Sequence, residues 1–271
     1  MVHSAIERIL ARDRLIVVVS LIVCVAVSAW YILDGAGTDM SSVDMSIETG
    51  PAGALIAGTP DMISPHIWSL RYAVVVLVMW WLMMVAMMVP SAAPAILLYG
   101  ALYRERGPWG PLEFLAGYLA IWGVFSVVAT LVQGILSASG MISAMYMNLA
   151  STYTASAVLI GAGLYQLSPV KAACLDHCRG PVEALTRHRR TGRAAAFRMG
   201  LVHGRYCLGC CWALMALLFV GGIMNIWWIV AITVYVAAEK LAPGGKRVSI
   251  VTAGALMVAG IALFVGSTGF F

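Results

Sequence analysis

From Tyr72 to Leu98 the chain reads YAVVVLVMWWLMMVAMMVPSAAPAILL without one charged residue. A run that long and that uniformly apolar cannot be hidden in the core of a water-soluble fold. Leu15 to Leu33 and Ser249 to Val265 repeat the pattern, in a chain of 271 residues that is 62% hydrophobic and only 11% charged. Backbone groups in hydrocarbon must bond within their own segment, so the expected class is all-α, a polytopic transmembrane helical bundle of a plasma (inner) membrane.

Hydropathy predicts about seven spans, within a range of six to eight: 15–33, 71–102, 112–137, 152–168, 203–221, 225–239 and 248–267. Pro90 and Pro94 are expected to kink the second or end its regular part. Residues 1–33 then form an amino-terminal segment with the first span, 34–70 an acidic loop, and 71–271 the helical membrane domain. Orientation follows from basic residues: Arg8, Arg12 and Arg14; Arg104 and Arg106; Lys171, Arg179, Arg187, Arg189, Arg190, Arg193, Arg198 and Arg205; Lys240, Lys246 and Arg247. Seven spans put all of these on one side and leave only Arg71 on the other, so the amino terminus is expected to be cytoplasmic. Asp34, Asp39, Asp44, Glu48 and Asp61 fall in the opposite, extracytoplasmic loop. The net charge of +5 therefore reports topology, and no nucleic-acid partner is expected. The basic stretch from Thr186 to Arg198 suits anionic lipid headgroups. Val27 and Ala29 permit an alternative in which the first span is a cleaved signal, although its length fits an anchor better.

The stretch HGRYCLGCCWALM at 203–215 spaces His203, Cys207, Cys211 and Met215 at i, i+4, i+8 and i+12, with Cys210 beside them. A step of four residues turns a helix by about 40° and raises it by about 6 Å, so these side chains form one sulfur-rich stripe. A second group, ACLDHC at 173–178, carries Cys174, His177 and Cys178, and Ser168-Pro169 marks a helix start just before it. By the topology above, both groups lie at cytoplasmic helix ends and meet at one membrane face. Thiols there stay reduced, which points away from a disulfide framework and toward metal or redox chemistry. Cys24 stands alone and reads as a small packing residue.

Residues 79–91, MWWLMMVAMMVPS, add thioethers: Met79, Met83 and Met87 on one line, Met84 and Met88 on another about 100° round the helix. Flexible packing is their ordinary role. Together with thiolates they form a set that favours Cu(I), with Zn(II) as the alternative for Cys and His. Met40, Met45, Met141, Met145 and Met147 are expected on the outer side. An ion moving from outer thioethers through Met83, Met84, Met87 and Met88 to the thiols would meet progressively stronger ligands. Glu113 and Glu239 are read as interfacial, and Asn225 as a turn residue.

The blocks MVAMMVPSAAP (84–94), YQLSPVKAACLDHCRGP (165–181), GLVHGRYCLGCCWALMALLFVGGIMN (200–225) and AAEKLAPGGKR (237–247) resemble the bacterial family catalogued as predicted metal-binding integral membrane proteins. The resemblance runs from about Trp80 to Arg247. It implies that Cys174, His177, Cys178, His203, Cys207, Cys210, Cys211 and the Met83 to Met88 block are metal-binding positions.

Three functions compete. The first is binding of a soft metal, Cu(I) foremost, for transport, delivery or metallo-enzyme assembly, with a metallochaperone or a metallo-enzyme complex as partner. No phosphate-loop or kinase motif is present, so transport would be passive, gradient-driven or partner-dependent. The second is a membrane thiol-disulfide or quinone oxidoreductase using Cys207, Cys210 and Cys211. The third is a structural subunit of a membrane complex. Small residues at 161–163 and 221–222 permit close helix contacts within one chain or in an oligomer.

Overall fold

The computed structural model describes residues 2–34, 42, 43, 46, 68–143, 147–187, 194–242 and 244–267. Most of the acidic loop (Asp39, Asp44, Glu48 and Asp61), Met40, Met45 and Met145, and the basic residues Arg189, Arg190 and Arg193 lie outside the described residues. Among the described residues the chain is all-helical, apart from an isolated bridge between Ile142 and Leu149.

The helices are α1 (Val2–Leu33), α2 (Leu70–Leu102), α3 (Trp109–Ala138), α4 (Thr152–Gln166), α5 (Pro169–Arg179), α6 (Pro181–Arg187), α7 (Ala195–Ala216), α8 (Leu218–Gly221), α9 (Ile226–Leu241) and α10 (Gly245–Ser267). Local chemistry sets their starts. Ser69 Oγ accepts from Tyr72 N at 3.2 Å to cap α2, Ser168 Oγ accepts from Lys171 N at 3.1 Å to cap α5 with Pro169 at its first position, and Asn225 Oδ1 accepts from Trp227 N at 3.0 Å to cap α9. Pro90 and Pro94 lie inside α2 and do not end it, since it continues to Leu102.

Among the described residues, five stretches are long and apolar enough to cross a membrane: Leu15–Leu33, α2, α3, Ala195–Gly221 and α10. A sixth arises if α4 and α5, bent by 62° at their junction, are taken as one broken element. This differs from the seven expected. The sixth expected segment is α9, whose 16 residues rise about 24 Å, less than the roughly 30 Å of a hydrocarbon core. The fifth begins earlier than expected, at Ala195 instead of 203.

Packing is tightest where side chains are smallest. A Cβ on Gly117 would lie 2.1 Å from Phe197 O and one on Gly200 2.0 Å from Phe114 O, so the backbones of α3 and α7 touch, and Gly204 meeting Ile121 one turn farther along both helices makes them parallel. α2 and α3 are antiparallel: Trp80 Nε1 donates to Gln133 Oε1 at 2.7 Å, and Tyr118 Oη donates to Met88 O at 3.3 Å. Met79, Met83, Met84, Met87 and Met88 all lie in the buried core with Trp80 and Trp122. Val124, Val128, Leu131 and Ile135 of α3 and Val251, Val258 and Ile261 of α10 are exposed, an apolar exterior far beyond that of a water-soluble monomer.

Candidate metal centre

The stripe on α7 faces inward. Cys207, Cys210, Cys211, Met215 and His203 are all buried, none more than 5% exposed. Cys178 lies at the end of α5, in line with the expected helix-end position, whereas Cys207, Cys210 and Cys211 do not lie at an end of α7. They lie in the second and third thirds of the 22-residue α7, enclosed by α2, α3, α5 and α9.

α5 brings the second group alongside. The bend at Ser168 lets α5 run against α7, and a Cβ on Gly209 would lie 2.7 Å from Cys174 Sγ, so the glycine makes room for that thiol. Cys178 Sγ is 4.0 Å from Cys210 Sγ, and Cys210 Sγ is 3.2 Å from Cys211 Sγ. His177 stacks on Tyr206 with ring centroids 3.7 Å apart and lies 6.3 Å from the His203 ring. The two clusters, about thirty residues apart in sequence, therefore share one pocket.

With a metal–sulfur bond of about 2.3 Å, two sulfurs sit about 4.6 Å apart in a linear site and about 4.0 Å apart in a trigonal one. The spacing of Cys178 and Cys210 lies in the range of two sulfurs sharing one ion, whereas Cys210 and Cys211 stand closer together than that. Among the described residues no three His, Cys, Asp or Glu side chains form a ready-made ion cage. Lys240 Nζ donates to Cys207 Sγ at 3.0 Å and to Ser91 Oγ at 3.1 Å. Tyr118 Oη lies 3.0 Å from the same sulfur and links it to the backbone of Met88. His203 Nδ1 is buried and finds no hydrogen-bond partner among the described residues, which leaves a nitrogen lone pair or proton uncommitted beside the thiols.

Glu239, read as interfacial, and Lys240, read as a basic residue following the sixth span, both lie in the last turn of α9 with their side chains buried in the protein. Glu239 is fully buried and pairs with Lys171 at 2.5 Å, while its Oε1 also accepts from Tyr235 Oη at 3.0 Å and from Ser249 Oγ. Lys171 donates to Gln166 Oε1 as well. Arg179 Nη1 donates to Glu239 O at 2.6 Å, tying the end of α5 to the end of α9. Glu113 does keep an exposed position, 3.8 Å from Arg106. One signal for Lys171 was present: Lys171, Cys174 and Cys178 fall at i, i+3 and i+7, a single helix face.

A cavity of about 220 Å³ adjoins the thiols, lined by Ser91, Cys178, Arg179, His203, Cys207 and Lys240 among others. A family model described as copper chaperone (PpoB2) matches residues 77–263. No curated protein and no solved structure matches the chain.

Proposed function

Because the chain belongs to that copper chaperone family, its function is copper-related, and we propose that it is a membrane-embedded carrier that holds Cu(I) on the buried thiols of α5 and α7 and passes it to a partner. The observation that carries this reading is the meeting of Cys178 with Cys210 and Cys211 in a core also lined by Met83, Met84, Met87, Met88 and Met215. A buried set of thiolates and thioethers favours a soft monovalent ion over hard oxygen-seeking ones. The buried methionines form the route by which copper reaches the thiols.

In this reading α1, α2, α3, the broken α4–α5 pair, α7, α9 and α10 each cross the membrane, seven crossings with the amino terminus cytoplasmic. Support comes from directions of packing: α3 and α7, which both start on the basic side, run parallel, and short α9 reaches back far enough for Lys240 to touch Cys207. The apolar exterior of α3 and α10 then faces lipid.

The test is metal content by mass spectrometry on protein purified anaerobically in reductant, beside a variant with Cys174, Cys178, Cys207, Cys210 and Cys211 all replaced by Ser. Stoichiometric copper that vanishes in the variant is expected. Zinc would redirect the reading to a structural site, and absence of metal after Cu(I) loading would end it. For the route, vesicles carrying Met83, Met84, Met87 and Met88 as Leu are expected to lose copper uptake while the volume-conserving change leaves the fold intact. Undiminished uptake contradicts a methionine route.

A further inference from the structure

Met147 stands apart from the thiol centre and is held from several sides. It lies in the connection between α3 and α4, is 7% exposed, and has a positive φ of +49°. A long side chain rarely adopts that conformation, so the surroundings impose it. Met147 N donates to Ser143 O at 3.0 Å, Ile223 N donates to Met147 O at 3.4 Å, and Leu149 N donates to Phe219 O at 2.8 Å. The connection is thereby pinned to α8 and to the break before α9, where Met224 follows Ile223 and is 1% exposed.

The sulfur of Met147 is oriented as well. Gln133 is 2% exposed, and its Oε1 accepts from Trp80 Nε1 at 2.7 Å. An indole N–H only donates, so the amide oxygen must face Trp80 and the amide nitrogen must point elsewhere. Gln133 Nε2 meets Met147 Sδ at 3.9 Å. A thioether sulfur carries two lone pairs, and this contact engages one of them, leaving the other for a soft ion. Trp80 also packs on Phe219 with ring centroids 5.3 Å apart, so Met147, Trp80 and the segment from Phe219 to Met224 surround one small region. That region lies at the far end of the methionine line. Tyr118 Oη touches both Met88 O and Cys207 Sγ, which sets the level of the thiols, and Trp80 lies about 12 Å from Met88 along α2. Met83 and Met84 stand one turn from Trp80 toward the thiols, and Met215 one turn from Phe219 in the same direction.

We propose that Met147 and Met224 form a second metal site, a thioether pair on the extracytoplasmic side that binds Cu(I) and hands it to Met83 and the buried line leading to the thiols. The inference rests on the copper-carrier reading and the topology above. The ligand class follows from the donors: two neutral thioethers favour a soft monovalent ion of low coordination and give no oxygen to Mg or Ca. Thioethers hold such an ion less tightly than thiolates, so the site releases toward the thiols and empties during purification. Copper stays Cu(I) in the transfer, and no proton moves at this site because a thioether has none to lose.

The experiment titrates the full chain in detergent, anaerobically, with Ag(I), a soft monovalent ion that keeps its oxidation state, and measures bound metal by equilibrium dialysis. Protein with Cys174, Cys178, Cys207, Cys210 and Cys211 all replaced by Ser separates thioethers from thiols. It is expected to bind Ag(I), and Met147→Leu and Met224→Leu are each expected to weaken that binding by about tenfold or more. Met257→Leu, the same exchange at a half-buried position of α10, is expected to change nothing. Leu keeps the volume of Met, so the fold is expected to survive, and the thermal midpoint checks it. No bound Ag(I), or binding that ignores both replacements, would overturn the outer site. If the Ser protein does not fold, Met147→Leu on the unmodified chain decides: it is expected to lose the weakest step of the titration, and an unchanged isotherm overturns the site. A chain that binds Ag(I) through Met147 yet takes up no Cu(I) at its thiols would instead overturn the carrier reading, and the handover with it, while the outer site stands.

Discussion

Two lysines are buried in this protein, and their surroundings differ. Lys171 is 1% exposed and faces a carboxylate at 2.5 Å, in a network completed by Gln166, Tyr235 and Ser249. Lys240 is 7% exposed and faces a thiol and a hydroxyl at 3.0 and 3.1 Å. A buried charge needs a counter-charge: Lys171 finds it in a carboxylate, whereas Lys240 meets the sulfur of Cys207. The first site is thus complete in itself and reads as a clamp joining α5, α9 and α10. The second is built on a thiol, a group that binds a soft metal as thiolate.

The contrast can be broken most strongly at the clamp. Glu239→Gln leaves Lys171 buried without compensation, and a loss of about 3–5 kcal/mol is expected, seen as a fallen thermal midpoint and aggregation in detergent. Adding Lys171→Met to the same chain is expected to recover much of that loss, because the pair is then removed together. If Glu239→Gln leaves stability unchanged, the clamp is not what holds α5 in place.

Lys240→Met sharpens the other side. No carboxylate is stranded, so the midpoint is expected to move little. Copper affinity is expected to fall about ten- to hundredfold in competition with a Cu(I) chelator, the worth of one hydrogen bond to a charged group at about 1.5–3 kcal/mol. A stability loss matching that of Glu239→Gln, with copper affinity intact, would make Lys240 a second structural clamp. The smallest effect belongs to a third lysine, Lys246, whose exposed Nζ lies 2.8 Å from Asp176 Oδ2. Lys246→Ala is expected to change stability by about 0–1 kcal/mol and copper affinity not at all, which fixes the baseline for the other two.

How much of this was legible in the sequence depends on the range of the interaction involved. Helical character and the inward stripe on α7 were readable because both rest on local periodicity: His203, Cys207, Cys211 and Met215 recur at four-residue steps and all four are buried. The start of α5 was readable from Ser168-Pro169, a local cap. The roles of Glu239 and Lys240 were not. Each sits in the last turn of a helix, where a charge ordinarily reaches water, and nothing local distinguishes them from Lys246 just beyond. Their burial follows from partners 68 and 33 positions away, Lys171 and Cys207, brought close by the 62° bend after α4 and by the antiparallel return of α9. The depth of the thiols was missed for a related reason: α7 starts at Ala195, eight residues before the apolar run becomes obvious, so the cysteines sit farther inside the helix than hydropathy places them.

The measurement that tests the central claim most directly is X-ray absorption at the copper edge on anaerobically loaded protein, compared with Cys178→Ser and Cys207→Ser. The account predicts a monovalent edge and a shell dominated by sulfur, with sulfur lost in each variant. A shell of oxygen and nitrogen alone, unchanged by either replacement, would contradict it.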